Sequence, residues 1–151
     1  MIIDSQNEFS VEQAVTATAI STNVYDNNSE SVANVGQALG VDGDIYLVVQ
    51  CDETATAAGA ATLTVTLESA ENEALSTNPV VHYSTGALAL AALEAGQRLV
   101  AVKLPQAFDY KRYMGIRYTV ATGPLTAGKF SAFLAHNVNA NKPYKSGFSV
   151  Q

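Results

Sequence analysis

Arg112-Tyr113-Met114-Gly115-Ile116-Arg117-Tyr118-Thr119-Val120-Ala121, then Thr122-Gly123-Pro124-Leu125-Thr126-Ala127-Gly128, then Lys129-Phe130-Ser131-Ala132-Phe133-Leu134-Ala135, is the stretch whose reading decides the fold. In its first part Met114, Ile116, Tyr118 and Val120 share one side of an extended chain, and Tyr113, Gly115, Arg117 and Thr119 share the other. That two-residue period is the mark of a half-buried strand. In its last part Phe130, Ala132 and Leu134 oppose Lys129, Ser131 and Phe133. Two glycines and a proline interrupt the run, which a helix would not tolerate and a turn does. The expectation is strand, turn, strand: a hairpin whose two arms offer a face to one core.

Working outward, 151 residues suffice for one domain with a sizeable core. Alanine (24), valine (16) and threonine (13) dominate, tryptophan is absent and only 15% of residues are charged. Such composition suits closely packed strands with small side chains. The net charge of -6, with only 8 Lys and Arg, argues against nucleic acid, whose binding rests on neutralising phosphates. Met1-Ile2-Ile3-Asp4 turns polar too early for a secretory signal, and no run reaches the ~20 apolar residues of a membrane helix. The expectation is a soluble protein made in the cytoplasm, without a membrane partner.

Further strands follow from the same alternation. Residues 1–12 read either as an edge strand or as an arm that orders against a partner, and Gln13 to Ser21 as a strand. Asn23 to Glu30 is turn-rich, with loop chemistry continuing to Gly40. Ile45 to Cys51 is a continuous apolar run expected mid-sheet, followed by the poorly patterned 52–60. Leu63, Val65 and Leu67 alternate with Thr62, Thr64 and Thr66 in the cleanest amphipathic strand. Val80 to Ser84 is a short strand behind Pro79, and residues 87–95 read as a strand followed by one helical turn. Arg98 to Leu104 is a strand closed by Pro105. Beyond His136 the periodicity fades into an extended tail.

No motif carries catalytic or cofactor chemistry. Glu68, Glu71 and Glu73 sit in what reads as an exposed, solvated loop. His82 and His136 have no nucleophile or second ligand at motif spacing. Asp42-Gly43-Asp44 lacks the further oxygen ligands of a calcium loop. Cys51, the single cysteine, lies in an apolar run beside Asp52 and Glu53, where an inert buried thiol is expected. Phe108, Tyr110 and Tyr113, among Asp109, Lys111 and Arg112, suggest tyrosines packed at the foot of a loop, with stacking on sugars or bases as the alternative.

About eight extended segments divided by turns define an all-β class, an antiparallel two-sheet β-sandwich of jelly-roll type with extended termini. The domain is expected over residues 1–138, with 1–12 as an optional arm and 139–151 as the tail. Met1 to Gln6 with Phe9-Ser10, Gln13 to Val24, Tyr46 to Gln50, Arg112-Tyr113 and Tyr118 to Gly128 together resemble the capsid cement (decoration) protein family of short-tailed Bordetella-type bacteriophages. The resemblance implies a jelly-roll homodimer on the exterior of the virion, bound to the major capsid protein and bracing the head against internal DNA pressure. It implies no enzyme activity, metal or cofactor. The apolar side chains of the termini, Ile2, Ile3, Phe9, Tyr144 and Phe148, are then the expected contacts with the shell. The competing reading is a carbohydrate-binding sandwich on the virion surface that stacks sugars on Tyr83, Tyr110 or Tyr113.

Overall fold

In the computed structural model, residues 5–27, 44–104, 110–136 and 138 are described. After a 3-10 turn at Ser5–Asn7 come β1 (Glu8–Ala14), β2 (Ala19–Ile20), β3 (Tyr25–Asp26), β4 (Ile45–Thr56), β5 (Thr62–Ala70) and β6 (Val80–Ser84). Then follow β7 (Leu88–Ala89), a 3-10 turn at Leu90–Ala92, β8 (Arg98–Lys103), β9 (Tyr113–Ala121) and β10 (Ala127–His136). They form two antiparallel sheets, ordered β1-β10-β4-β8 and β2-β9-β5-β6, with β3 also on β9 and β7 also on β5. Early strands pair with late ones: β1 with β10, β2 and β3 with β9, β4 with β8, β5 with β6 and β7. This is a long hairpin wound into a sandwich, the jelly roll expected from the pattern.

The core lies where the alternation places it. Leu63, Val65 and Leu67 of β5 stand opposite Val120, Tyr118 and Ile116 of β9, and Leu47, Val49 and Cys51 of β4 stand opposite Leu134, Ala132 and Phe130 of β10. These side chains form one cluster between the sheets, and the Tyr118 and Phe130 rings meet across it at 5.8 Å. Each large aliphatic or aromatic side chain removed from water contributes roughly 1.5–3 kcal/mol.

The expected hairpin is not one. β9 belongs to the second sheet and β10 to the first, so Thr122–Thr126 is a corner that carries the chain across the sandwich. Thr122 (φ 63°) and Gly123 (φ 109°) take left-handed conformations there, and Leu125 is buried beneath the corner. A second corner runs beside it. The strand expected from Gln13 to Ser21 is broken, because the chain leaves β10 after Val15 N–H donates to Gly128 O and joins β9 only at Ala19. The two corners are tied by the Leu125 N–H donated to Thr16 O. Two more boundaries differ: β4 runs on to Thr56, through residues read as unpatterned, and β3 forms within the turn-rich stretch. Over residues 87–95 the expected mixture of strand and helical turn is found.

One polar contact spans the interior. Ser10 Oγ on β1 and Tyr118 Oη on β9 share a buried hydrogen bond of 2.9 Å between the two sheets, and burial pushes the Tyr118 phenol up to about 12. Tyr118→Phe strands the Ser10 hydroxyl without its partner and is expected to cost about 1–3 kcal/mol in urea unfolding. The double variant with Ser10→Ala is expected to cost less than the sum of the single changes.

Candidate functional site

The most elaborated surface lies on the outer face of the second sheet, where β5 ends and the chain turns through residues 71–79. Across β9, β5 and β6 the outward row at this level is Gly115, Glu68 and Val81. Glycine at 115 leaves room for the loop: a methyl there would meet Leu75 Cδ1 at 2.9 Å and Ser21 Oγ at 3.0 Å. Leu75 (φ 50°) drops into that space and is fully buried. Its carbonyl accepts from Arg117 Nη2 at 2.7 Å, and Arg117 Nε donates to Glu68 Oε2 at 2.9 Å. Glu68 also accepts from Thr66 Oγ1 at 2.8 Å. Glu68 is only 5% exposed, which corrects the reading of it as a solvated loop acid.

The loop is stiffened from within. Asn72 Oδ1 accepts from the Ser76 and Thr77 amides, each at 2.9 Å, and Asn78 Nδ2 donates to Glu71 Oε1 at 3.1 Å. Lys111 Nζ bonds Asn78 O and lies 3.6 Å from Glu71. Glu71 and Glu73 are exposed as expected, and Glu73 makes no ion pair among the described residues. Between residues 72–74 and 20–24 a groove of about 680 Å³ opens. Most of its polar groups are already used: Ser21 Oγ donates to Asn23 O, Asn23 Nδ2 to Glu8 O and Asn72 Nδ2 to Ser76 Oγ. Ile20, Val24 and Ala74 give it apolar lining.

Beside this face the fold brings together a pair that no sequence motif announces. Ser69 Oγ and His82 Nε2 share a hydrogen bond of 2.6 Å, Lys111 N–H donates to the same hydroxyl at 3.1 Å, and Tyr110 lies 4.5 Å from the imidazole. The signal available was the inward phase of β5, which continues Leu63, Val65, Leu67 to Ser69. Ser69 has no exposed surface, so the pair braces β6 and the segment before β9. His136 stands exposed at the end of β10.

Of the five expected shell contacts, Phe9 is a core residue, 1% exposed, because β1 is a strand on β10 whose inward side chain packs between the sheets. Ile2, Ile3, Tyr144 and Phe148 lie outside the described residues, as do Asp42 and Phe108. Asp44 is exposed and pairs with Lys103 at 3.1 Å. Cys51 is free and buried, and burial pushes its thiol up. Tyr110 is buried, Tyr83 packs against the core and Arg112 covers the Tyr113 ring at 5.0 Å, so all three expected sugar platforms are already engaged. Among the described residues no cluster of three His, Cys, Asp or Glu is placed to hold a metal, and no helix is long and apolar enough to cross a membrane.

Fold and face together define a two-sheet jelly-roll protein whose interior polar groups join one element to another. The chain belongs to the Bbp16 family, which residues 9–134 match and whose name suggests a Bordetella phage protein. No curated protein matches it.

Two consequences follow for stability. Arg117→Ala leaves Glu68 buried without its cation and is expected to cost about 3 kcal/mol in denaturant unfolding, whereas Asp44→Ala, which breaks an exposed pair, should cost less than about 0.5 kcal/mol. Burial lowers the His82 pKa from its ordinary 6.5, so in mildly acid solution the unfolded chain binds a proton that the folded chain resists. The contribution is complete above about pH 6.5 and is withdrawn as pH falls through that value towards the folded pKa. Urea midpoints should therefore decline between about pH 7 and about pH 5.5, less steeply in His82→Asn.

Proposed function

We propose that the protein is a decoration, or cement, protein of a phage head, binding the outer surface of the assembled shell and stabilising it against the pressure of packaged DNA. Membership of a phage protein family carries this reading. The physical organisation supports it: buried polar side chains such as Ser10 with Tyr118, Ser69 with His82 and Glu68 with Arg117 bond element to element. A clamp needs a stiff body, because any strain it yields to is not resisted. On this reading the protein has no enzymatic role, the major capsid protein is its partner, and it works as a homodimer. Bridging two sites raises the effective concentration of the second contact, so each contact need only be modest. The sugar-binding alternative is less well supported, since Tyr83, Tyr110 and Tyr113 are already packed or covered.

Heads assembled without the protein are expected to form normally and then to rupture at lower temperature or during DNA packaging. Adding the purified protein to such heads should restore their resistance. Equal robustness with and without it would overturn the proposal.

A further inference from the structure

Resting on that reading, we infer that the shell-binding surface is the outer face of the second sheet at the 71–79 loop, and that it receives a shell-protein segment carrying an aliphatic side chain next to a lysine or arginine. Large apolar side chains are exposed at only three described positions, Val11 (59%), Val80 (41%) and Val81 (54%), and two of these adjoin the loop. Val81 stands opposite Glu68 and shares the outward face with Glu68 and Gly115. Val81 therefore offers an apolar contact on this face at the β6 edge, Val80 opposite Ser69 pointing to the other side, while the groove lined in part by Ile20, Val24 and Ala74 opens on the same loop towards β2.

The charge at this place has one unanswered member. Glu68 is joined to Arg117 and Glu71 lies near Lys111, while Glu73, exposed on the lip of the groove, has no cation among the described residues. In a chain of net charge -6 an incoming lysine or arginine is the complementary group. A sugar fits less well, because the groove's serine and asparagine side chains are spent on internal bonds and leave few donors to replace its hydration. A protein segment needs only the apolar floor and the carboxylate. The loop is already ordered by Leu75 over Gly115 and by the Arg117 bond to Leu75 O, so little freedom is lost when the segment arrives.

The test is co-sedimentation of purified protein with empty heads that lack it, using wild type, Val81→Glu, Glu73→Lys, Glu73→Gln and Glu94→Lys, with thermal melts of each. Glu94 is exposed on the turn whose neighbour Leu93 bonds Ala55, at the other end of the sandwich. Val81→Glu and Glu73→Lys are expected to weaken binding by about tenfold or more with unchanged melting, Glu73→Gln to flatten its salt dependence, and Glu94→Lys to bind as wild type. If wild type binds and the Val81 and Glu73 variants bind equally well, this face is wrong while the cement reading stands. Equal loss in Glu94→Lys would make the effect one of general charge and also overturn the assignment. If wild type itself does not bind, the cement reading fails and takes this inference with it.

Discussion

The ladder that β10 makes on both of its edges is the contact on which the rest of the sandwich depends. β10 lies between β1 and β4, so the last described strand is central to the first sheet. Until it arrives β1 has no partner strand among the described residues, and the inward side chains of β4, Leu47, Val49 and Cys51, lack the neighbours Leu134, Ala132 and Phe130. The order of pairing makes most contacts long-range, and loops must close before those contacts return free energy. Folding is therefore cooperative by construction. The outer face of the same sheet is sewn together across three of its four strands, β1, β10 and β4: Glu12 N–H donates to Ser131 Oγ, and Ser131 Oγ donates to Asp52 Oδ2 at 2.6 Å.

This dependence also explains what was legible in the sequence. Alternation along β5 and β9 reports which side chains face inward, and those assignments hold residue for residue at Leu63, Val65, Leu67, Met114, Ile116 and Tyr118. It does not report which strand lies alongside. Residues 122–128 have the chemistry of a reversal, and a reversal within one sheet and a crossing between two sheets ask for the same glycines and left-handed residues. The crossing was chosen by the competing ladders, since β5 already pairs β9 along its whole length while β4 and β1 flank β10. Gln13 to Ser21 failed for the same reason, its pattern running unbroken through a corner.

The outer face of the second sheet was the least legible part. Glu68 looks solvated in its local context, Ser69-Ala70-Glu71-Asn72-Glu73, because what buries it comes from elsewhere: Leu75 folding back, and Arg117 from another strand. Gly115 breaks an otherwise bulky strand, and only the packed Leu75 and Ser21 show why. Phe9 was ambiguous for a related reason. An aromatic residue near a terminus reads equally as anchor and as core until its strand is paired, and pairing with β10 turns it inward.

The two faces of the second sheet thus divide the work. The inner face supplies apolar burial, while the outer face spends its charge on bracing, with Arg117 bonded both to a carboxylate and to the carbonyl of the residue that fills the glycine gap. Such a pair adds little net stability over an apolar one, because desolvating both charges offsets most of their attraction. What it fixes is position. Leu75 and Asn78 hold left-handed conformations that a free loop would relax, and their persistence requires the surroundings to over-determine them, as the bonds from Arg117, Asn72 and Lys111 do. A loop so constrained keeps its place on the sheet beneath it, which is the stiffness that the proposed bracing role would call on.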